Sequence, residues 1–143
     1  MGSLAGLSSI AVVAAVLAVS EARAGELHGQ WLHNGSYMIL WHKSENVIVI
    51  DYGRPRAGMR EEGVTEGTRF FDRQVAGNHI SGHARLFKGG CAPAMYPVSG
   101  TITYYRARIV LRGPAPVFER HSCGTARYEW NANSTLVFTA VAD

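Results

Sequence analysis

The sequence predicts an all-β fold: a single antiparallel β-barrel, or a sandwich, of about eight strands with one disulfide. Three features predict it. Segments of strand character recur at short, regular spacing between turn signals; no stretch has the period of a long helix; and the chain has two cysteines, Cys91 and Cys123. A barrel is preferred because up-and-down closure removes edges that a chain with few helices cannot cover.

The strands follow in order. "LHGQW" (27–31) leads to "SYMILW" (36–41) through Asn34-Gly35, a two-residue hairpin signal. "NVIVIDY" (46–52) is rich in β-branched residues and puts Ile48, Ile50 and Tyr52 on one face and Val47, Val49 and Asp51 on the other. "TRFFDRQ" (68–74) and "HISGHARLF" (79–87) flank a second hairpin signal, Ala76-Gly77-Asn78. After Gly89-Gly90 come "YPVSGTIT" (96–103) and "RARIVLR" (106–112), the latter wet at Arg106, Arg108 and Arg112 and dry at Ala107, Ile109 and Leu111. Gly113, Pro114 and Pro116 are expected to stop that strand. "TARYEW" (125–130) and "STLVFTAV" (134–141) complete the set.

The chain opens on an apolar run, Ile10 to Val19, followed by Glu21-Ala22-Arg23-Ala24. The run is about half of the ~20 residues a membrane-spanning helix needs, and Ala22 and Ala24 form the small-x-small pair that signal peptidases recognise. Residues 1–24 are therefore read as a signal peptide and 25–143 as one β-barrel domain, periplasmic or secreted, with no stable membrane insertion after cleavage. An even cysteine count in an exported chain points to a Cys91–Cys123 disulfide, which stabilises the fold by roughly 3 to 4 kcal/mol on the chain-entropy model. The net charge of +3 is too small to argue for nucleic acid. Lys43 and Lys88 are the only lysines, so the positive charge is mostly arginine, which suits bidentate contact with carboxylates.

The stretch "DYGRPRAGMREEGVTEGTRFF" (51–71) joins two strands through a connection longer than most hairpin loops, and such loops are usually functional or mobile. Glycine backbone with Arg54, Arg56 and Arg60 could cradle an anion. Glu61, Glu62 and Glu66 cancel that charge, so a solvated loop is the expectation.

Six histidines raise a metal reading. His79 and His83 would share a strand face about 13 Å apart, at ~3.3 Å per residue, too far to chelate one ion. Surface histidine is expected, with no metal and no cofactor. No nucleophile elbow, H-E-x-x-H, Walker loop or G-x-G-x-x-G occurs. A set drawn from Ser81 or Ser99, a histidine and Asp51 or Asp72 could be assembled in any chain of this size, so a small hydrolase is an alternative and no enzyme is expected. Tryptophan and tyrosine at strand ends suit stacking on sugars or anchoring proteins. "TYYRAR" (103–108), with Tyr104, Tyr105, Arg106 and Arg108, is the first choice for an exposed binding face, while Trp31 is expected in the core.

"GQW" (29–31) resembles the Gly-x-Trp opening of lipocalin-like and avidin-like barrels. "YGRPRAGMREEGVTEGTRFF", "ISGHARLFKGGCAP", "LRGPAP" and "LVF", spread between Trp31 and Phe138, are similar to a small exported β-barrel domain of alphaproteobacteria, alone or attached to larger proteins, some caspase-like. That resemblance implies a module without naming an activity. A periplasmic inhibitor of c-type lysozyme is a second likeness, through its loop-borne Ser-Gly-x-x-Tyr motif. "SGTITY" (99–104) sets the tyrosine one residue too far, and "SGHAR" (81–85) has Arg85 in its place. The expected function is an exported, non-enzymatic binding or accessory module of the cell envelope, with an envelope protein or polysaccharide as partner; lysozyme inhibition is the alternative.

Overall fold

Eight antiparallel strands close into a barrel, and two further strands form a separate ribbon. This computed structural model describes residues 2, 27–103, 105 and 107–142. Apart from Gly2, the expected leader (1–24), together with its cleavage point, Tyr104 and Arg106, lies outside the described residues. The barrel strands are β1 (Gly29–His33), β2 (Ser36–Ser44), β3 (Val47–Arg54), β4 (Arg69–Ala76), β5 (His79–Leu86), β6 (Ala94–Thr103), β7 (Arg108–Arg112) and β10 (Thr135–Ala140). Each pairs with its neighbour in sequence, and β10 joins β7 to β1 to close the ring. The ribbon is β8 (Ala115–Phe118) with β9 (Thr125–Glu129).

The predicted alternation is borne out where it was clearest. Ile48, Ile50 and Tyr52 face the core, as do Ile109 and Leu111, while Arg108 and Arg112 are exposed. Trp31 is buried, its indole N–H donating to the Leu27 carbonyl at 3.3 Å. Asn34 and Gly35 take φ of 46° and 82°, the left-handed pair a tight hairpin requires between His33 and Ser36.

The ribbon corrects one expectation. The 106–112 strand stops where Gly113 and Pro114 were expected to stop it, at Arg112, but a new strand follows and Pro116 sits within it, in β8 opposite Tyr128. A two-stranded ribbon has only edge strands, where proline's missing donor costs no ladder bond on the open side. The predicted strand around 125–130 exists as β9 but lies outside the barrel wall.

The loop after β3 is a second correction, because it is not simply solvated. It contains a short helix, α1 (Ala57–Glu61), and Val64 is buried in the core cluster with Met59 packed against it. Its base is closed by Tyr52 N–H to Thr68 carbonyl at 2.9 Å and Gly67 N–H to Tyr52 carbonyl at 2.7 Å. Surface histidine was also expected, but His33 and His42 are buried within the barrel. Each falls two residues beyond a core apolar neighbour, Trp31 or Leu40, and strand parity carries both inward.

On the outer wall Arg69 bridges Asp51 at 2.6 Å and Asp72 at 3.9 Å, and Arg85 reaches Asp72 at 3.5 Å. These partly solvated pairs across β3, β4 and β5 contribute about 0–1 kcal/mol each. Among the described residues no helix is long and apolar enough to cross a membrane.

Candidate functional site

Antiparallel pairing sends successive connections to alternate ends of the barrel. The turn 34–35, the loop 55–68, the loop 87–93 and the segment 113–134 that holds the ribbon share one end, here called the mouth. The turns 45–46 and 77–78 and the connection 104–107 share the far end. This separates the residues singled out from sequence. Tyr105, 92% exposed, and exposed Arg108 lie at the far end, whereas Arg54, Arg56 and Arg60 lie at the mouth.

At the mouth is a cavity of about 90 Å³, open to solvent on one side and lined by His33, Ser36, Tyr52, Phe70, Phe87 and Tyr96, with Arg56 and Met59 at its rim. Local sequence explains each wall. His33 ends β1 and Ser36 begins β2 across the tight turn. Phe70 points inward through a bulge: Ile50 pairs with Phe71 and Asp51 with Arg69, so Phe70 is the extra residue and both phenylalanines are buried. Tyr52 lies edge-on to Phe70 and to Phe87, with centroids 5.6 and 5.9 Å apart. His33 stacks on Phe138 at 4.6 Å.

Five cross-links hold the rim. The Arg56 N–H donates to Ser36 Oγ at 2.9 Å, tying the α1 loop to β2. The Gly89 N–H donates to Glu62 Oε2 at 2.7 Å, tying that loop to 87–93. The Cys91–Cys123 disulfide fastens 87–93 to the turn of the ribbon, and Lys88 Nζ donates to the carbonyls of Glu119 and Ser122 at 3.1 and 3.0 Å. The Tyr96 hydroxyl donates to the Asn133 carbonyl at 2.8 Å, inside the mouth.

The cavity is polar in a one-sided way. Arginine lines it and no aspartate or glutamate does. Burial pushes the Tyr52 hydroxyl far above the ordinary phenol range, against the opposing pull of nearby Arg56, and burial pushes Tyr96 up to about 12. Both therefore stay protonated and can donate. Burial also holds His33 below its ordinary 6.5, with the Arg56 charge acting the same way and the Val137 bond opposing. The Val137 carbonyl can only accept, so His33 Nδ1, at 2.9 Å, carries the proton and Nε2 is left as an acceptor.

Neutral, buried His33 has a consequence for stability. Its folded pKa lies below the unfolded 6.5, so the unfolded chain binds the proton first as pH falls. The contribution is fully present above 6.5 and is lost as pH drops towards the folded value. Urea midpoints measured from pH 7.5 to 5 should fall in the native protein. The slope should flatten in His33→Phe; an unchanged slope would assign the acid sensitivity elsewhere.

The remaining predicted residues are engaged differently. Arg54 stacks over the Tyr37 ring at 4.5 Å, and Arg60 Nε donates to the Pro55 carbonyl at 2.9 Å, so of the three loop arginines Arg56 is the one that lines the mouth. Arg54 and Arg60 line an adjoining open groove with Gly63 and Glu66. His79 and His83 both lie on β5, and among the described residues no cluster of three or more His, Cys, Asp or Glu side chains could hold a metal. Ser99-Gly100 and Ser81-Gly82 are paired inside β6 and β5, not carried on a loop. His33, Ser36, Phe70 and Phe87 were not read as site residues from sequence; parity from Trp31 would have found His33.

No known protein family, no curated protein and no solved structure matches this chain. Fold and site together define a small disulfide-bonded β-barrel with one aromatic, arginine-rimmed mouth.

Proposed function

We propose that the chain is an exported, non-enzymatic binding or accessory module of the bacterial cell envelope, periplasmic or secreted, that holds a group of an envelope protein or polysaccharide. The observation that carries this reading is the mouth: a cavity walled by aromatic rings, rimmed by arginine and cross-linked by three hydrogen-bonded contacts and a disulfide. A pre-formed concave site with few polar groups is the usual form of a ligand pocket. Ser36 Oγ accepts from the Arg56 N–H and His33 Nδ1 donates to the Val137 carbonyl, contacts that hold both side chains in the wall of the mouth. The disulfide suits an oxidising compartment such as the periplasm or the exterior.

The test is capture from envelope extract by the native domain, by Arg56→Glu, and by a far-end variant, Tyr105→Ala with Arg108→Ala. Loss of the captured material with Arg56→Glu alone is expected. Loss with the far-end variant alone would move the site to the 103–108 face. Equal recovery by all three baits would count against both.

A further inference from the structure

We infer that the mouth takes an aromatic ring carrying a carboxylate, the ring lying against Tyr52, Phe70 and Phe87 and the carboxylate meeting Arg56 and the Tyr52 hydroxyl. The inference rests on the reading of the mouth as a binding site and names the chemistry it recognises.

The ring half follows from the walls. Tyr52 already sits at near-perpendicular angles, 86° and 77°, to Phe70 and Phe87. Aromatic side chains favour such edge-to-face neighbours, and a further ring entering the cavity can adopt the same geometry. Met59, Leu86 and Leu136 complete an apolar lining that an aliphatic chain would fill with less specific contact.

The anion half follows from an unbalanced charge. Arg85, which also lines the cavity, is paired with Asp72 on the outer wall, whereas Arg56 makes no ion pair among the described residues. Its backbone N–H is fixed on Ser36 and its Nη2 rests 3.8 Å from Met59 Sδ, so the guanidinium is located at the rim without a carboxylate partner. The Arg56 charge is felt by both Tyr52 and His33, so positive potential extends inward to the ring site. A planar fork with an adjacent hydroxyl donor matches one carboxylate; a dianionic phosphate would call for more cationic groups than the rim supplies. An amine would meet the same charge unfavourably.

The chemistry could come from a free aromatic acid or from the C-terminal phenylalanine or tyrosine of a protein, and the probes separate these. Calorimetry and amide NMR would compare 3-phenylpropionate, 3-phenylpropanamide and hexanoate, then a tetrapeptide ending in phenylalanine with free or amidated C-terminus. The acid should bind about tenfold more tightly than its amide, as a charge-assisted hydrogen-bonded pair implies. Arg56→Gln, a change at an exposed side chain, should remove that difference while leaving the amide unaffected. Phe87→Leu should weaken both ring probes and spare hexanoate. Tight binding of the free acid alone would identify a small-molecule ligand; binding of the free-ended peptide as well would identify a chain terminus. Acid and amide binding equally, with Arg56→Gln silent, would overturn the carboxylate assignment and leave the mouth as a binding site. No shift at Gly35, Gly53 or Phe87 with any probe would overturn the inference, and the capture experiment would then decide the functional reading by itself.

Discussion

Gly100→Ala is expected to lose a large share of the native stability, although it adds one methyl group to an ordinary strand position. Gly100 is paired on both sides, with Ile80 in β5 and Leu111 in β7, so its backbone cannot swing away from either. A Cβ there would land on the Val110 carbonyl oxygen, with the Val110 carbonyl carbon at 2.8 Å and the Leu111 Cα at 3.0 Å. All three obstacles are backbone atoms, so no rotamer change can relieve them. The φ of Gly100 is not left-handed; the requirement is for space, created where tightly curved strands bring their backbones together. Relief means separating β6 from β7, and a closed barrel has no free edge at which to absorb that movement. Overpacking costs typically 1–3 kcal/mol and occasionally more; an all-backbone clash in a doubly paired strand belongs at or above about 3 kcal/mol, against a total of about 5–15 kcal/mol for domains of this kind. Denaturant midpoints of Gly100→Ala and of Ser99→Ala, its exposed neighbour, would check this. A Gly100→Ala protein within about 0.5 kcal/mol of the control would show that the strands part more easily than the geometry implies.

The same strand pairing explains what could be read from the sequence and what could not. Alternation is unbroken in 108–112, and in 47–52 only Val49 departs from it, buried although it lies on the face of Val47 and Asp51; there the inward and outward faces could be assigned residue by residue. The Phe70-Phe71 doublet defeats parity, because only a bulge lets two successive residues turn inward, and the partner strand decides where the bulge falls. His33 and His42 were set aside as surface chemistry, although they continue the parity of Trp31 and Leu40. Val64 was hidden in a charged, glycine-rich stretch whose local composition gives no sign that one residue caps the core. The mouth was the least legible feature. His33, Phe70 and Tyr96 are far apart along the chain and meet only through closure, which pairs β10 with β1. Strand counting would, however, have separated the 103–108 face from the loop arginines, since an odd number of strands lies between them.

The second large effect expected is that of opening the Cys91–Cys123 bond, and its two components can be distinguished. The bond spans 32 residues, so on the chain-entropy model replacing both cysteines with serine should cost roughly 3 to 4 kcal/mol through the unfolded state. The barrel ladder does not depend on it: every barrel strand keeps two paired neighbours when the bond is absent. The folded-state effect should therefore be local. Cys91 lies in the loop that carries Phe87 into the mouth and holds Gly89 against Glu62, while Cys123 sits in the exposed turn of the ribbon. Without the bond, 87–93 is held to the ribbon by Lys88 and its two carbonyl acceptors, which are exposed and exchange readily with water. Hydrogen exchange in Cys91→Ser/Cys123→Ser should thus accelerate at Gly89 and residue 91 well beyond the change at Ile48 and Ile50, and ring probes should bind the mouth several-fold more weakly, in line with lost pre-organisation. A fall in the denaturant midpoint with uniform exchange and unchanged probe affinity would mean that the disulfide acts on the unfolded chain alone. Preferential loosening at the rim would instead make it part of the binding site, and would explain why the link lies beside the mouth, outside the barrel wall.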